Sequence, residues 1–418
     1  MVSRRFFLKS SGLALVAFGV APRALVRSVY AAGGGGGRRK QTLVVVFQRG
    51  AMDGLNVVAP YADPVYRRFR PTIALPAPRA GARDAALDLD GYFGLHPSLE
   101  PLLPLWKDGT LAAVQAVGSP DPTRSHFDAQ DFMESGTPGV KATEDGWINR
   151  HLQCASSPEA TPFRAVSLTP TLPRSLAGRA PAVAMNSIRE FDLRPSAGSR
   201  VASGFEGMYE GAVKDVLHGT GQETFDAIQF LKKSDPSRYA PAAGAEYPRG
   251  RYGDSLKQVA QLIKADVGVE VAFTEIGGWD HHAAEGGVQG QLAQRLRELG
   301  LSLSAFQKDL GDRMQDVVVV TLTEFGRTVH ENGNRGTDHG HASVSLVMGG
   351  GVRGGKVLGR WPGLEERSLY EARDLAVTTD FRDLLGEVLT RHLGDRDLAK
   401  VFPGYTASPS KFPGVMRA

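Results

Sequence analysis

The stretch DVVVVTLTEFGRT, residues 316–328, is an unbroken apolar, β-branched run that stops abruptly at a glutamate and an arginine. A strand with one wet face alternates apolar and polar side chains. A continuous run instead signals a strand covered on both faces, as in a parallel sheet between helical layers. Five further runs share the pattern: TLVVVF (42–47), LAAVQAV (111–117), FRAVSL (163–168), VEVAFTEI (269–276) and SVSLVM (343–348). Between them lie segments of helical spacing. HPSLEPLLPLWKDG (96–109) sets Leu99, Leu102, Leu103 and Trp106 on one side and stops at Gly109. Residues 288–314 repeat Leu292, Leu296, Leu299, Leu303 and Phe306 at steps of three or four, and TTDFRDLLGEVLTRHLG (378–394) opens on a Thr/Asp cap and ends at a glycine. Strands alternating with helices predict an α/β fold, with a central, mostly parallel sheet sandwiched between helical layers. The Pro- and Gly-rich stretches 60–91, 169–205 and 233–253 read as long excursions from that core.

The first residues belong to a different class. Arg4 and Arg5 precede Phe6, Phe7, Leu8 and Lys9, and an apolar run follows from Leu13 to Val20. A basic region, a short apolar region and then small residues describe an export signal, too short to span a bilayer. The adjacent arginines in SRRFFLK resemble a twin-arginine signal. The expected organisation is a signal peptide over 1–32, a Gly-rich leader over 33–40 and a single domain over 41–410, periplasmic or extracellular once exported. The chain carries 49 Lys+Arg and 45 Asp+Glu, but five of the basic residues and none of the acidic ones fall in 1–32. Removing them leaves 44 against 45, so the basic pI is no argument for a nucleic-acid partner. The single cysteine, Cys154, excludes both an internal disulfide and a thiolate metal site. No later segment is long and apolar enough to make an integral membrane protein.

Polar clusters follow the strand-like runs. Asp53 comes after the first, in QRGAMDGLN, and Ser125 with His126 follows the second, in SHFDAQDFMESG. Asp280, His281 and His282 follow the fourth, in GGWDHH. Glu324 and Arg327 end the opening stretch, and Asp338, His339 and His341 in GTDHGH immediately precede the last run. In a parallel sheet these positions converge on one edge. Carboxylates and imidazoles without thiolates suit Zn²⁺, Mn²⁺, Mg²⁺ or Ca²⁺. Residues two apart in an extended turn project the same way, so Asp280 pairs with His282, His339 pairs with His341, and His281 points away. Ser125 at a helix start is a candidate nucleophile, and Arg327 is a candidate fork for an anionic oxygen pair. Structural readings stand beside these: Asp53 as an Asx turn, Ser125 as an N-cap with Asp128 three residues on, and Glu324 with Arg327 as an ion pair.

Taken together, QRGAMDGLN, SHFDAQDFMESG, GGWDHH, LTEFGRT, GTDHGHA and MGGGVRGG resemble an exported bacterial family known as domain of unknown function 1501. That family is placed in the alkaline phosphatase and sulfatase-like superfamily. The resemblance implies an alkaline phosphatase-like fold and a divalent metal held by Asp, Glu and His at strand ends, beside a Ser or Thr nucleophile. Carried over by position, Asp53, Asp280 with His282, Glu324, and His339 or His341 resemble the family's ligands and Ser125 its nucleophile. Joined with the reading of the polar clusters, the expected metal ligands are Asp53, Asp280, His282, Glu324, Asp338, His339 and His341, and the expected catalytic pair Ser125 and Arg327. The chain departs from the superfamily at TEFG, where an Asp-His-Gly is usual, so Phe325 stands in place of a histidine. The expected activity is that of an exported metal-dependent hydrolase acting on small-molecule or polymer phosphate or sulfate esters. The alternative is a catalytically inactive exported binding or scaffold protein that keeps the fold.

Overall fold

The computed structural model describes residues 41–155, 161–188 and 239–417. The expected signal and leader, and the parts of the excursions at 189–205 and 233–238, lie outside them. The chain opens with β1 (Thr42–Arg49), and three short strands, β2 (Val58–Ala59), β3 (Leu87–Asp88) and β4 (Gly94–Leu95), pair into a small separate sheet. The main sheet adds β5 (Leu111–Gly118), β6 (Ala165–Ser167), β7 (Val183–Ala184), β8 (Val271–Gly277) and β9 (Val317–Leu322). Beyond them come β10 (Ser343–Gly349), β11 (Val357–Leu358) and β12 (Thr379–Asp380). The order across this sheet is β11-β5-β10-β9-β1-β8-β6-β7, with β12 also pairing with β5. Each of the six apolar runs forms a strand of it.

In the main sheet every pairing is parallel except those of β10, which runs antiparallel to both β5 and β9. Central Val44 lies between Val319 and Ala272. The pleat explains the unbroken runs. Val44, Val46, Val319 and Ala272 face a layer containing α3 (Arg251–Lys264) and α4 (Gln291–Leu310), once α1 (His126–Ser135) and α2 (Trp147–Cys154) have been passed along the chain. Leu43, Val45, Phe47, Val318, Val320 and Leu322 face the opposite layer, built from α2 and α5 (Phe381–Val388). Both sides of β1 and β9 are thus dry, and each fully buried valine contributes roughly 1.5–3 kcal/mol. The spacing-predicted helices are present, with α4 buried along Leu292, Leu296, Leu299, Leu303 and Phe306, and α5 capped by Asp380. Gln41–Ala418 forms one compact unit. No helix among the described residues is long and apolar enough to cross a membrane.

This topology sets the site. The C-terminal ends of β1, β5, β8 and β9 share one sheet edge with the N-terminal end of antiparallel β10. The five polar clusters all leave from that edge.

Candidate metal centre

The segments after β9 and before β10 zip together, with Arg327 opposite His339 as an antiparallel bridge. Two glycines permit the approach. A Cβ on Gly326 would lie 1.8 Å from Ala342 O, and one on Gly340 would lie 2.4 Å from Arg327 C. On the neighbouring segment, Trp279 is fully buried and its indole N–H donates to Ile276 O at 2.8 Å, which turns the chain after β8 and presents Asp280. α1 begins at His126 behind the cap Ser125.

His126, Asp280 and His339 offer ligand atoms that all lie within 4.8 Å of one another, and His282 lies against two of them, Asp280 and His339. Asp280 Oδ1 is 3.0 Å from His282 Nε2 and 3.2 Å from His339 Nε2, and Asp280 Oδ2 is 3.5 Å from His126 Nε2. His282 Nε2 and His339 Nε2 are 3.0 Å apart. Each imidazole is anchored through its other nitrogen to an oxygen that only accepts. His126 Nδ1 donates to Glu324 Oε1 at 2.8 Å, His339 Nδ1 to Arg124 O at 2.8 Å, and His282 Nδ1 to Asp338 Oδ1 at 3.1 Å. Those acceptors place the protons on Nδ1 and turn three Nε2 lone pairs towards one carboxylate, an arrangement that a cation stabilises. His126 Nε2 is itself buried with no hydrogen-bond partner. Ligands about 2.0–2.2 Å from a tetrahedral ion lie roughly 3.3 Å apart. The Asp280–His339 and Asp280–His126 separations of 3.2 and 3.5 Å are compatible with such an ion.

The electrostatics agree. Burial opposes the Asp280 charge, yet the Arg327 hydrogen bond, reinforced by His282 and His126, holds its pKa down to about 2. Burial likewise opposes the Glu324 charge, and hydrogen bonds from His126 and Gln130 hold it below the usual range. The Glu324 contact raises His126 against its own burial. Phe325 is buried between two of the rings, its centroid 5.0 Å from both His126 and His339.

The expected site residues separate into two groups. Asp280, His282 and His339 come together, and Asp338 orients His282 from outside. The structure places the remaining expected residues apart from that cluster. Asp53 is neither a ligand nor a side-chain Asx turn: it is buried, with its oxygens 2.5 and 2.9 Å from Arg70 Nη1 and Nη2. Glu324 Oε1 is taken by Gly50 N, His126 Nδ1 and Gln130 Nε2, each at 2.8 Å, so it braces His126 instead of joining the cluster. His341 is turned away, its Nε2 2.9 Å from Ser119 O and its ring packed on Tyr370. Arg327 is no open anion fork, because carbonyls and Asp280 engage its whole guanidinium. Ser125 caps α1, its Oγ accepting from Asp128 N at 3.5 Å. His281 is buried and outside the cluster. His126 is the ligand-type residue that motif reading passes over in favour of Ser125. Its signal was Gln130 one turn on, since residues four apart share a helix face and both here reach Glu324.

A helix-covered, mostly parallel sheet with an imidazole–carboxylate cluster at its C-terminal edge defines an α/β protein with a candidate metal centre. The chain belongs to the family described as Protein of unknown function (DUF1501), which matches residues 40–402. No curated protein matches it. Among solved structures it is similar to the zinc-complexed C-terminal periplasmic domain of EcEptC from Escherichia coli, at 10% identity and a TM-score of 0.35 over 75% of this chain and 74% of that one. It is also similar to alkaline phosphatase from the Antarctic bacterium TAB5, at 8% identity and a TM-score of 0.33 over 75% and 92% of the two chains. PsFucS1 sulfatase from Pseudoalteromonas sp. matches at 12% identity and a TM-score of 0.34 over 79% and 66%.

Proposed function

We propose that this protein is a metal-dependent hydrolase of phosphate or sulfate esters, its ion held by His126, Asp280, His282 and His339. The observation that carries this reading is the anchoring of three imidazoles through Nδ1, which leaves their Nε2 atoms converging on Asp280. Three nitrogens and one carboxylate favour a borderline ion such as Zn²⁺ or Mn²⁺ over Ca²⁺ and Mg²⁺, which prefer all-oxygen sites. When bound, a divalent ion supplies Lewis acidity to an ester oxygen and acidifies a water or hydroxyl group. Glu324, Arg124 O and Asp338 fix the ring planes and tautomers of the three imidazoles. Phe325 keeps water from the inner side, so substrate approaches from the side where Asp280 and His282 are exposed. Ser125, at the cap of α1 beside His126, is the proposed nucleophile, and the N-terminal end of that helix favours an anionic group there. The basic and apolar residues at 4–20 support an exported protein.

Elemental analysis of purified protein tests this directly. About one equivalent of transition metal, lost in Asp280→Ala and His339→Ala, accompanied by turnover of an aryl phosphate, phosphodiester or sulfate, is expected. Absence of bound metal in the intact protein would sink the proposal. The saturation of Arg327 favours a second reading, a non-catalytic binding protein with a structural ion, because no free guanidinium is left to meet an anion at that position. On that reading metal raises the melting temperature, no ester in the panel turns over, and Ser125→Ala changes nothing.

A further inference from the structure

We infer that the centre takes a single divalent ion and that Arg327 is a positioning residue standing as its fixed second positive charge. The inference rests on the metal-centre reading above and deepens it. Among the described residues His126, Asp280 and His339 form the one group of three or more ligand-type side chains close enough to hold an ion. Most other acids and imidazoles of the polar clusters meet partners elsewhere, and His281 Nδ1, Glu285 Oε1 and His341 Nδ1, which are buried without one, stand outside that group. Asp53 is paired with Arg70, and Glu324 accepts three N–H groups on one oxygen while Thr323 Oγ1 donates to the other at 3.1 Å. Asp338 Oδ1 receives both His282 Nδ1 and Asn332 Nδ2, each at 3.1 Å. His341 is bonded to Ser119 O. Among the described residues no second group of three or more such side chains lies close enough to hold an ion.

Where a second ion would share Asp280, the guanidinium already sits. Arg327 Nη2 is 2.6 Å from Asp280 Oδ1, the same oxygen that meets His282 and His339. Its other contacts are carbonyls of three separate segments. Nε donates to Ala51 O at 2.6 Å, Nη1 to Thr337 O at 3.1 Å, and Nη2 also reaches Gly50 O at 2.6 Å and Trp279 O at 3.1 Å. Those carbonyls follow β1, follow β8 and precede β10, so one buried side chain fastens the segments that carry Asp280 and His339. A planar fork with five N–H groups performs this, and an ammonium does not. A second dication beside this buried guanidinium meets direct repulsion in a poorly screened place.

Native mass spectrometry and elemental analysis under excess Zn²⁺ or Co²⁺ are the test, with the visible d–d spectrum of the cobalt form as a readout of the ligand set. One ion per chain at saturation is expected for the intact protein. Arg327→Lys, which keeps the charge but not the fork, is expected to remain mononuclear, to bind Co²⁺ about 10–100-fold more weakly, and to give an altered d–d spectrum. Two ions per chain in the intact protein would overturn the single-ion inference, and an unchanged affinity and spectrum in Arg327→Lys would overturn the positioning role. If that variant fails to fold, the stoichiometry of the intact protein still decides between one ion and two. Complete absence of metal refutes the metal-centre reading itself, a separate outcome.

Discussion

Asp53 and Glu324 show what decides a carboxylate's role, namely which donor reaches it first. Both follow strands and both read as ligands from their positions, yet Arg70 occupies one and three N–H groups occupy the other. Neither partner is legible locally: Arg70 is 17 residues from Asp53, and His126 is 198 residues from Glu324. Types and rough positions could therefore be read from the sequence, whereas the pairing could not, because it depends on long-range register. Opposite outcomes are expected for the two acids. Asp53→Asn leaves buried Arg70 uncompensated and should cost about 3–5 kcal/mol in denaturant unfolding, with metal stoichiometry unchanged. Glu324→Gln should instead weaken metal binding about 10–100-fold at a modest stability cost, measured by competition with a chromophoric chelator.

At the level of elements, the six strands were legible because burial on both faces leaves a continuous apolar signature. The direction of β10 was not, because the same signature serves either orientation. Direction is set by the close return through Gly326 and Gly340. Gly340→Ala forces a Cβ to 2.4 Å from Arg327 C and should disturb the Arg327–His339 bridge, lowering both the melting temperature and metal affinity. Away from the centre, His151 in α2 joins Asp395 at 2.6 Å and Glu270, just before β8, at 3.1 Å. Burial opposes the His151 charge, but those two carboxylates raise its pKa. Burial also opposes the charge on Glu270, while hydrogen bonds from His151 and Arg164 hold its pKa at about 2. The His151 contribution is complete below about pH 6.5 and fades as pH rises through its raised folded value. The Glu270 contribution is complete above about pH 4.5 and is lost as pH falls towards 2. Thermal melts of His151→Gln against the parent protein should therefore differ most between about pH 4.5 and 6.5 and converge on either side.

For the whole molecule, the layered fold was legible from alternation alone, and so was the sheet edge that carries the site. The composition of the centre was only half legible, since it needs a helix start after β5, a turn after β8 and a return loop before β10 at once. Metal bound at this junction should stabilise the entire fold, because it binds the native state alone. At an ion concentration a hundred times its Kd, the gain should be about 2.7 kcal/mol, reversed by a chelator and abolished in His339→Ala. The guanidinium staple carries a further consequence. Its carbonyl partners and the four metal-site side chains are drawn from positions 50 to 339 of the chain, so no partly made protein presents the binding cup. On the proposed metal-centre reading, ion capture would come after the sheet has closed, and the compartment in which the chain folds would choose its metal. An exported chain that folds before crossing a membrane is loaded from the pool inside the cell, and one that folds after crossing is loaded from the pool outside.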